Sequence, residues 1–158
     1  MYYIVLFFIG GNVLIRTNGG FLISQIKQVQ GRVFDAMLQK AGIEEFNGAQ
    51  GRILYVLWQE DNLPIVELSK RTGLAKTTLT GMLDRMEERG FLERHFDKTD
   101  RRQIRIILTK KAHALSEKYN EVSDEMGEFF YKGFTDEEIV LFEKTLERIL
   151  SNLTNERG

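Results

Sequence analysis

The residues best equipped for chemistry lie together in Asp97–Thr109, DKTDRRQIRIILT. Around a tight turn this stretch sets two aspartates, a lysine and two adjacent arginines, then alternates Ile104, Arg105, Ile106 before Ile107 and Leu108. Such alternation marks a half-buried strand, so the charges fall on the tip of a β-hairpin. A guanidinium there is a permanent cation with a planar donor fork, suited to phosphate or carboxylate. The ordinary alternative is a solvated charge cluster.

Covalent chemistry has little to work with. The chain has no cysteine, which removes disulfides, thiolate nucleophiles and cysteine-bound zinc. His95 and His113 are too few for a histidine-rich metal site unless carboxylates or a second subunit complete it. There is no nucleophile–histidine motif, no glycine-rich phosphate loop and no HExxH. DKTD lacks the EF-hand spacing and abuts arginines. Neither an enzyme, a metal site nor a cofactor is expected.

The net charge of −1 conceals an uneven distribution. Residues 1–88 are neutral, residues 89–111 carry +5 and residues 112–158 carry −6. A basic middle between neutral and acidic flanks points to a local polyanion contact. With 158 residues, 42% of them apolar, the chain suffices for one domain with a proper core. Met1–Ile15, MYYIVLFFIGGNVLI, is apolar but shorter than the 18 or so residues of a membrane helix. No basic residue precedes it as a signal peptide would require. Residues 1–18 are therefore expected to be a strand-like arm against a partner subunit or an extension foreign to the domain at 19–158. No membrane partner is expected.

The elements that position the charged hairpin follow from periodicity. Leu22, Ile26, Val29, Val33 and Met37 share one helical face, ended by Gly42. Asn47 with Gln50 forms a capping box for a helix burying Ile53, Leu54 and Leu57. Pro64 suits a first helical turn, predicting a short helix Pro64–Thr72 closed by Gly73. Next come a helix Ala75–Arg89 burying Leu79, Met82, Leu83 and Met86, and strands Phe91–Phe96 and Gln103–Leu108. A long helix is expected from Thr109 to about Tyr131, with a heptad-like seam of Leu115, Tyr119, Val122, Met126 and Phe129. Thr135 and Glu138 cap a last helix with Ile139, Phe142, Leu146, Ile149 and Leu153 inside. The fold class is mainly α with a small β-hairpin: a winged helix-turn-helix core at about 47–111, flanked by helices at about 20–41 and 109–155.

The face of the second helix opposite its apolar residues carries Thr77, Thr78, Gly81, Asp84, Arg85 and Glu88. Its first half is small and hydroxylated apart from Lys76, and the acids gather at the far end. A helix entering a major groove by its N-terminal half wants this gradient. Gly81 costs about 1 kcal/mol in a helix interior, which close backbone approach to a ligand would explain.

The stretch GLAKTTLTGMLDRMEERGFLERHFDKTDRRQIRIILT resembles the core of the MarR family of prokaryotic winged-helix regulators. The matching positions are Leu83, Met86, Glu87, Gly90, Phe91, Leu92 and Arg94, then Asp100 and Arg102 in the wing, then Leu108 and Thr109. The upstream FNGAQGRILYVL resembles the family's second helix, and the likeness runs from about Gly20 to Leu153. Thr99 departs from the pattern, since many members carry arginine there. The resemblance implies a cytoplasmic, sequence-specific DNA-binding transcriptional regulator, a repressor, acting as a homodimer on a palindromic operator. It implies Arg102 as the minor-groove probe, which agrees with the negative potential of a narrow minor groove. Asp100 is expected to hold the Arg102 guanidinium in a bidentate pair, with Lys98 and Arg101 along phosphates. The full expected contact set is Lys76, Thr77, Thr78, Thr80, Gly81, Arg85, Arg94, Lys98, Asp100, Arg101 and Arg102. The flanking helices would interlock two chains. Family members often bind a small aromatic or anionic effector, for which Phe34, Arg52, Tyr55 and Trp58 are the candidates. The rival reading is a winged-helix module for protein contact that does not read DNA.

Overall fold

Residues 6–9, 12–15 and 17–155 are described by a computed structural model, the first two stretches by their backbone alone. Strands β1 (Leu6–Ile9) and β2 (Asn12–Ile15) form an antiparallel pair of their own, in register Leu6 to Ile15. The rest of the N-terminal expectation lies outside the described residues.

Helix α1 (Gly19–Lys40) buries Leu38 alone. Its expected inner residues Leu22, Ile26 and Val29 are instead exposed. Helix α2 (Gly48–Gln59) starts at the expected capping box: Gln50 N–H donates to Asn47 Oδ1 at 3.0 Å, and Asn47 N–H donates to Gln50 Oε1 at 3.3 Å. Reciprocal capping satisfies two orphan amides and fixes where the helix begins. Ile53, Leu54 and Leu57 are fully buried, as the spacing predicts.

Leu63–Pro64 forms a short strand, β3, rather than a first helical turn. It pairs antiparallel with β5 (Ile104–Leu108), Leu63 opposite Ile106. The proline sits at the edge of the sheet, where its missing N–H costs no ladder bond. Helix α3 (Ile65–Thr72) follows, then α4 (Lys76–Glu88) and β4 (Leu92–Phe96). The sheet is three-stranded, ordered β3-β5-β4, where sequence alone predicts a two-stranded hairpin. Leu68, Leu79, Leu83, Met86, Phe91, Leu92 and Ile106 are all buried. Three helices and one sheet face thus share this core.

The expected long helix is broken. Helix α5 (Lys110–His113) ends in a turn at Ala114–Leu115, and α6 (Ser116–Phe130) begins beyond it. The chain divides there into two compact units, one through Ser116 and one from Glu117. In the second unit Tyr119, Val122 and Met126 are buried, as the seam predicts, while Phe129 is exposed. Helix α7 (Asp136–Asn155) opens at the expected box, Thr135 N–H donating to Glu138 Oε2 at 2.8 Å and Glu138 N–H to Thr135 Oγ1 at 3.3 Å. Tyr131 joins this pair of helices: its ring meets Phe134 and Phe142 edge-on, and its hydroxyl donates to Glu143 at 2.8 Å. Burial and then the Glu143 carboxylate raise the Tyr131 pKa. No residue of α7 is buried. Ile139, Phe142 and Leu146 are half-covered, whereas Ile149 and Leu153 lie in the open, against expectation. Among the described residues no helix is long and apolar enough to cross a membrane.

Candidate nucleic-acid interface

The turn between α3 and α4 is set by Gly73, whose φ of 66° lies in the left-handed region. An L side chain there costs roughly 1 kcal/mol, which glycine avoids. Ser69 Oγ donates across the turn to the Leu74 carbonyl at 2.8 Å, and buried Thr72 Oγ1 to the Leu68 carbonyl at 2.7 Å. The first bond ties the turn to α3, as does the Leu74 N–H donating to Thr72 Oγ1 at 3.4 Å, while the Thr72–Leu68 bond lies within α3. Ala75 is its N-cap and supplies no side-chain bond, and the first turn holds no acid. The leading amides of α4 therefore face outward with the positive end of the helix dipole. Lys76, Thr77, Thr78 and Thr80 are exposed around that end. Thr80 Oγ1 donates back to the Lys76 carbonyl at 2.8 Å, which leaves its lone pairs free to accept. Gly81 has room for a Cβ, the nearest neighbour being Arg85 Nη1 at 3.8 Å. Local packing therefore does not require glycine.

The wing is organised by Asp97. Its Oδ1 accepts from Thr99 Oγ1 at 2.6 Å, Thr99 N–H at 2.8 Å and Asp100 N–H at 3.1 Å; its Oδ2 accepts from Arg105 Nη1 at 2.9 Å. The Thr99 hydroxyl first, then the two amides, hold the Asp97 carboxyl well below the usual carboxylate range. Thr99, the departure from the family pattern, thus helps to build the loop. Asp100 does not form the expected pair with the Arg102 guanidinium. Its Oδ1 accepts instead from the Arg102 backbone N–H at 3.0 Å, and its Oδ2 from Gln103 Nε2 at 3.3 Å. Two residues of separation favour this short Asx-type closure over a reach along the whole arginine side chain.

Seven of the eight cations of the basic middle fall into two groups; the eighth, Lys110, is exposed at the start of α5. Those at the base of the wing are engaged by the protein. Arg94 Nη2 donates to Asp84 at 2.6 Å and Nη1 to Glu87, while Arg94 N–H meets the other Glu87 oxygen at 3.1 Å. This ties β4 to α4, and the Arg94 side chain is only 21% exposed. Arg105 binds Asp97 and both oxygens of Asn62, at 2.9 and 2.6 Å. Arg89 donates to the Glu45 carbonyl, and Lys111 lies 4.3 Å above the Phe91 ring. At the tip, by contrast, Lys98, Arg101 and Arg102 are exposed, and among the described residues no side-chain partner holds them. The roles of Arg105, Asn62 and Asp97 are not visible in the sequence, since their partners lie up to 43 positions away.

The four effector candidates do not converge. Trp58 Nε1 donates to the Ala112 carbonyl at 3.1 Å and its ring meets Phe46 edge-on. Phe34 packs beside Gly48. Arg52 and Tyr55 are exposed on α2, the Arg52 Nη1 donating to the Thr72 carbonyl at 3.5 Å. A cavity of about 700 Å³ lies elsewhere, lined by Asp35, Gln39, Phe46, Gln50, Arg85 and Arg89 among others. Arg85 of the expected DNA-contact set stands at its edge.

Comparison with known proteins places this geometry. A family profile described as MarR family matches residues 46–104. The uncharacterized HTH-type transcriptional regulator YsmB of Bacillus subtilis is 34% identical over 93 residues, 59% of this chain and 64% of its own. The chain thus spans somewhat less than two thirds of that relative's length. A cysteine-to-serine mutant of MarR from E. coli, solved in complex with operator DNA, is 26% identical, with a TM-score of 0.75 over 83% of this chain and 92% of that one. A MarR protein from Peptoclostridium difficile, 23% identical, shares the fold at a TM-score of 0.80 over 94% and 97% of the two chains. Residues 46–104, which include the turn, the second helix and most of the wing, are thus similar to the MarR family in sequence, and the fold is shared over most of the chain.

Proposed function

We propose that the protein is a transcriptional regulator that binds a specific duplex, α4 entering the major groove by its N-terminal end and the wing tip entering the adjacent minor groove. The observation that carries this is the division of the cations. The protein engages Arg94 and Arg105 internally, yet leaves Lys98, Arg101 and Arg102 exposed on a loop held rigid by Asp97. Desolvated or paired cations serve the fold; unpaired ones on a stiff projection serve a polyanion. The contact residues are Lys76, Thr77, Thr78, Thr80 and Gly81 on α4, and Lys98, Arg101 and Arg102 on the wing. Arg94 acts as a positioning residue and Asp100 as a shaper of the loop.

The proposal includes a homodimer. Helix α7 exposes Ile149 and Leu153 along the face that also carries half-covered Phe142 and Leu146, and α1 exposes Leu22, Ile26 and Val29 on one face. Contiguous apolar helix faces of this kind mark association surfaces, and two-fold pairing sets two half-sites about 10 bp apart. Arg52 and Tyr55, three apart on α2 and both exposed, would meet a small aromatic or anionic effector.

Selection of duplexes from a random pool tests the reading. The expected outcome is an inverted repeat whose affinity falls steeply with salt. Enrichment of no motif, with capture of an acidic protein instead, would establish the protein-contact alternative.

A further inference from the structure

Alternate residues of a strand share a face, so the face of β4 that carries Leu92 and Arg94 continues to Phe96. Leu92 is buried, and Arg94 reaches Asp84 and Glu87 on α4. This face therefore looks onto α4. Phe96 stands two residues, about 7 Å, further out, where the body ends and the ring is 72% exposed. Across the ladder it pairs with half-buried Ile104; the next two rungs, Arg94–Ile106 and Leu92–Leu108, are closed by buried Ile106 and Leu108. Immediately beyond Phe96 and Ile104 lies the loop with Lys98, Arg101 and Arg102. An apolar rung thus separates the cationic tip from the helix.

A lone exposed apolar side chain is common on any surface. This one is distinguished by its place and by its neighbours' charge. If helix and wing occupy neighbouring grooves, the strand of DNA between those grooves must cross the space outside Phe96. Between its phosphates that strand presents deoxyribose, whose carbon edge is apolar. The surrounding cations suit the phosphates, and the ring suits the sugar.

We propose that Phe96, backed by Ile104, packs on a deoxyribose of the strand dividing the two grooves and sets how far the wing enters. The inference rests on the DNA-binding reading above. Its signature is a contribution that does not depend on salt, because covering apolar surface releases no counterions.

The test uses the full chain and the duplex that the parent protein selects from a random pool, with affinity measured across a series of potassium chloride concentrations. Phe96→Ala should weaken binding about tenfold at every concentration, equivalent to about 1.4 kcal/mol and to covering roughly 55 Å² of ring. Phe96→Leu should retain most of the affinity. Lys98→Ala, in contrast, should lower the salt slope by about one. Trp58 emission and the thermal midpoint should match the parent, since the ring is exposed. If Arg102→Ala weakens binding while Phe96→Ala does not, the inference falls and the DNA-binding reading stands. If neither change matters, the DNA-binding reading falls. A Phe96→Ala variant with a reduced salt slope, or with an altered oligomeric state, also overturns the inference, because the ring would then act through the cationic loop or against a second copy.

Discussion

Replacing Arg94 by alanine will destabilise the first unit and leave the salt dependence of DNA binding unchanged. The side chain is 21% exposed and bonds two carboxylates, Asp84 and Glu87, which are 54% and 38% exposed. Bonds to charged groups contribute about 1.5–3 kcal/mol when dry, and fully exposed ion pairs about 0.2–1 kcal/mol. Because both carboxylates remain more than a third exposed, solvent screening pulls the pair toward the lower range. The expected loss is about 1–2 kcal/mol in total. Trp58 is the sole tryptophan and donates to the Ala112 carbonyl, so its emission reports unfolding of this unit in urea. Loosening β4 from α4 should also weaken duplex binding by several-fold, without changing how affinity varies with salt. An unchanged urea midpoint together with a salt slope reduced by about one would show Arg94 to be a phosphate contact and refute the reasoning.

Two further outcomes follow from the same geometry. Gly81→Ala should raise stability by about 0.5–1 kcal/mol through helix propensity, since the added Cβ meets only Arg85 Nη1 at 3.8 Å. The same variant should bind DNA more weakly, and equal binding would show that no backbone approach occurs at Gly81. The Asp97 carboxyl has its folded pKa depressed, chiefly by the Thr99 hydroxyl. Its contribution is therefore fully present above the unfolded value near 3.9 and is lost as the pH falls below that toward the folded value. Protection of the Thr99 and Asp100 amides, measured against their intrinsic exchange rates, should persist at pH 5 and fall only in stronger acid; its loss at pH 5 would contradict the assigned bonds.

The sequence shows most clearly what is local. Both capping boxes, the left-handed glycines at 42, 73 and 90, and the buried face of α4 depend on neighbours within one or two turns. What it conceals is long-range or short. Strand β3 has two residues, too few for any periodic signal, and pairs across the fold with β5. The break at Ala114–Leu115 carries neither glycine nor proline. Among the site residues, Arg94 reads as one more cation until its two carboxylate partners on α4 are located. Asp97 likewise reads as one more charge of the turn, and Arg105 as the outward residue of an alternating strand, until the bonds of Arg105 to Asp97 and Asn62 are located. Charge sign is legible in a sequence; whether a charge is already paired is not. The apolar faces of α1 and α7 illustrate the converse, since periodicity reports a face without saying whether its cover comes from the same chain.

The central claim is that the start of α4 and the wing tip occupy neighbouring grooves of one duplex. Because the chain has no cysteine, Lys76→Cys and Lys98→Cys each supply a sole thiol for attaching an iron chelate that cleaves nearby DNA. On the selected duplex, the wing position should cut within a minor groove and the helix position in the adjoining major groove, about 5 bp away. Diffuse cleavage from both positions, or cleavage by both at the same base pairs, would contradict the account.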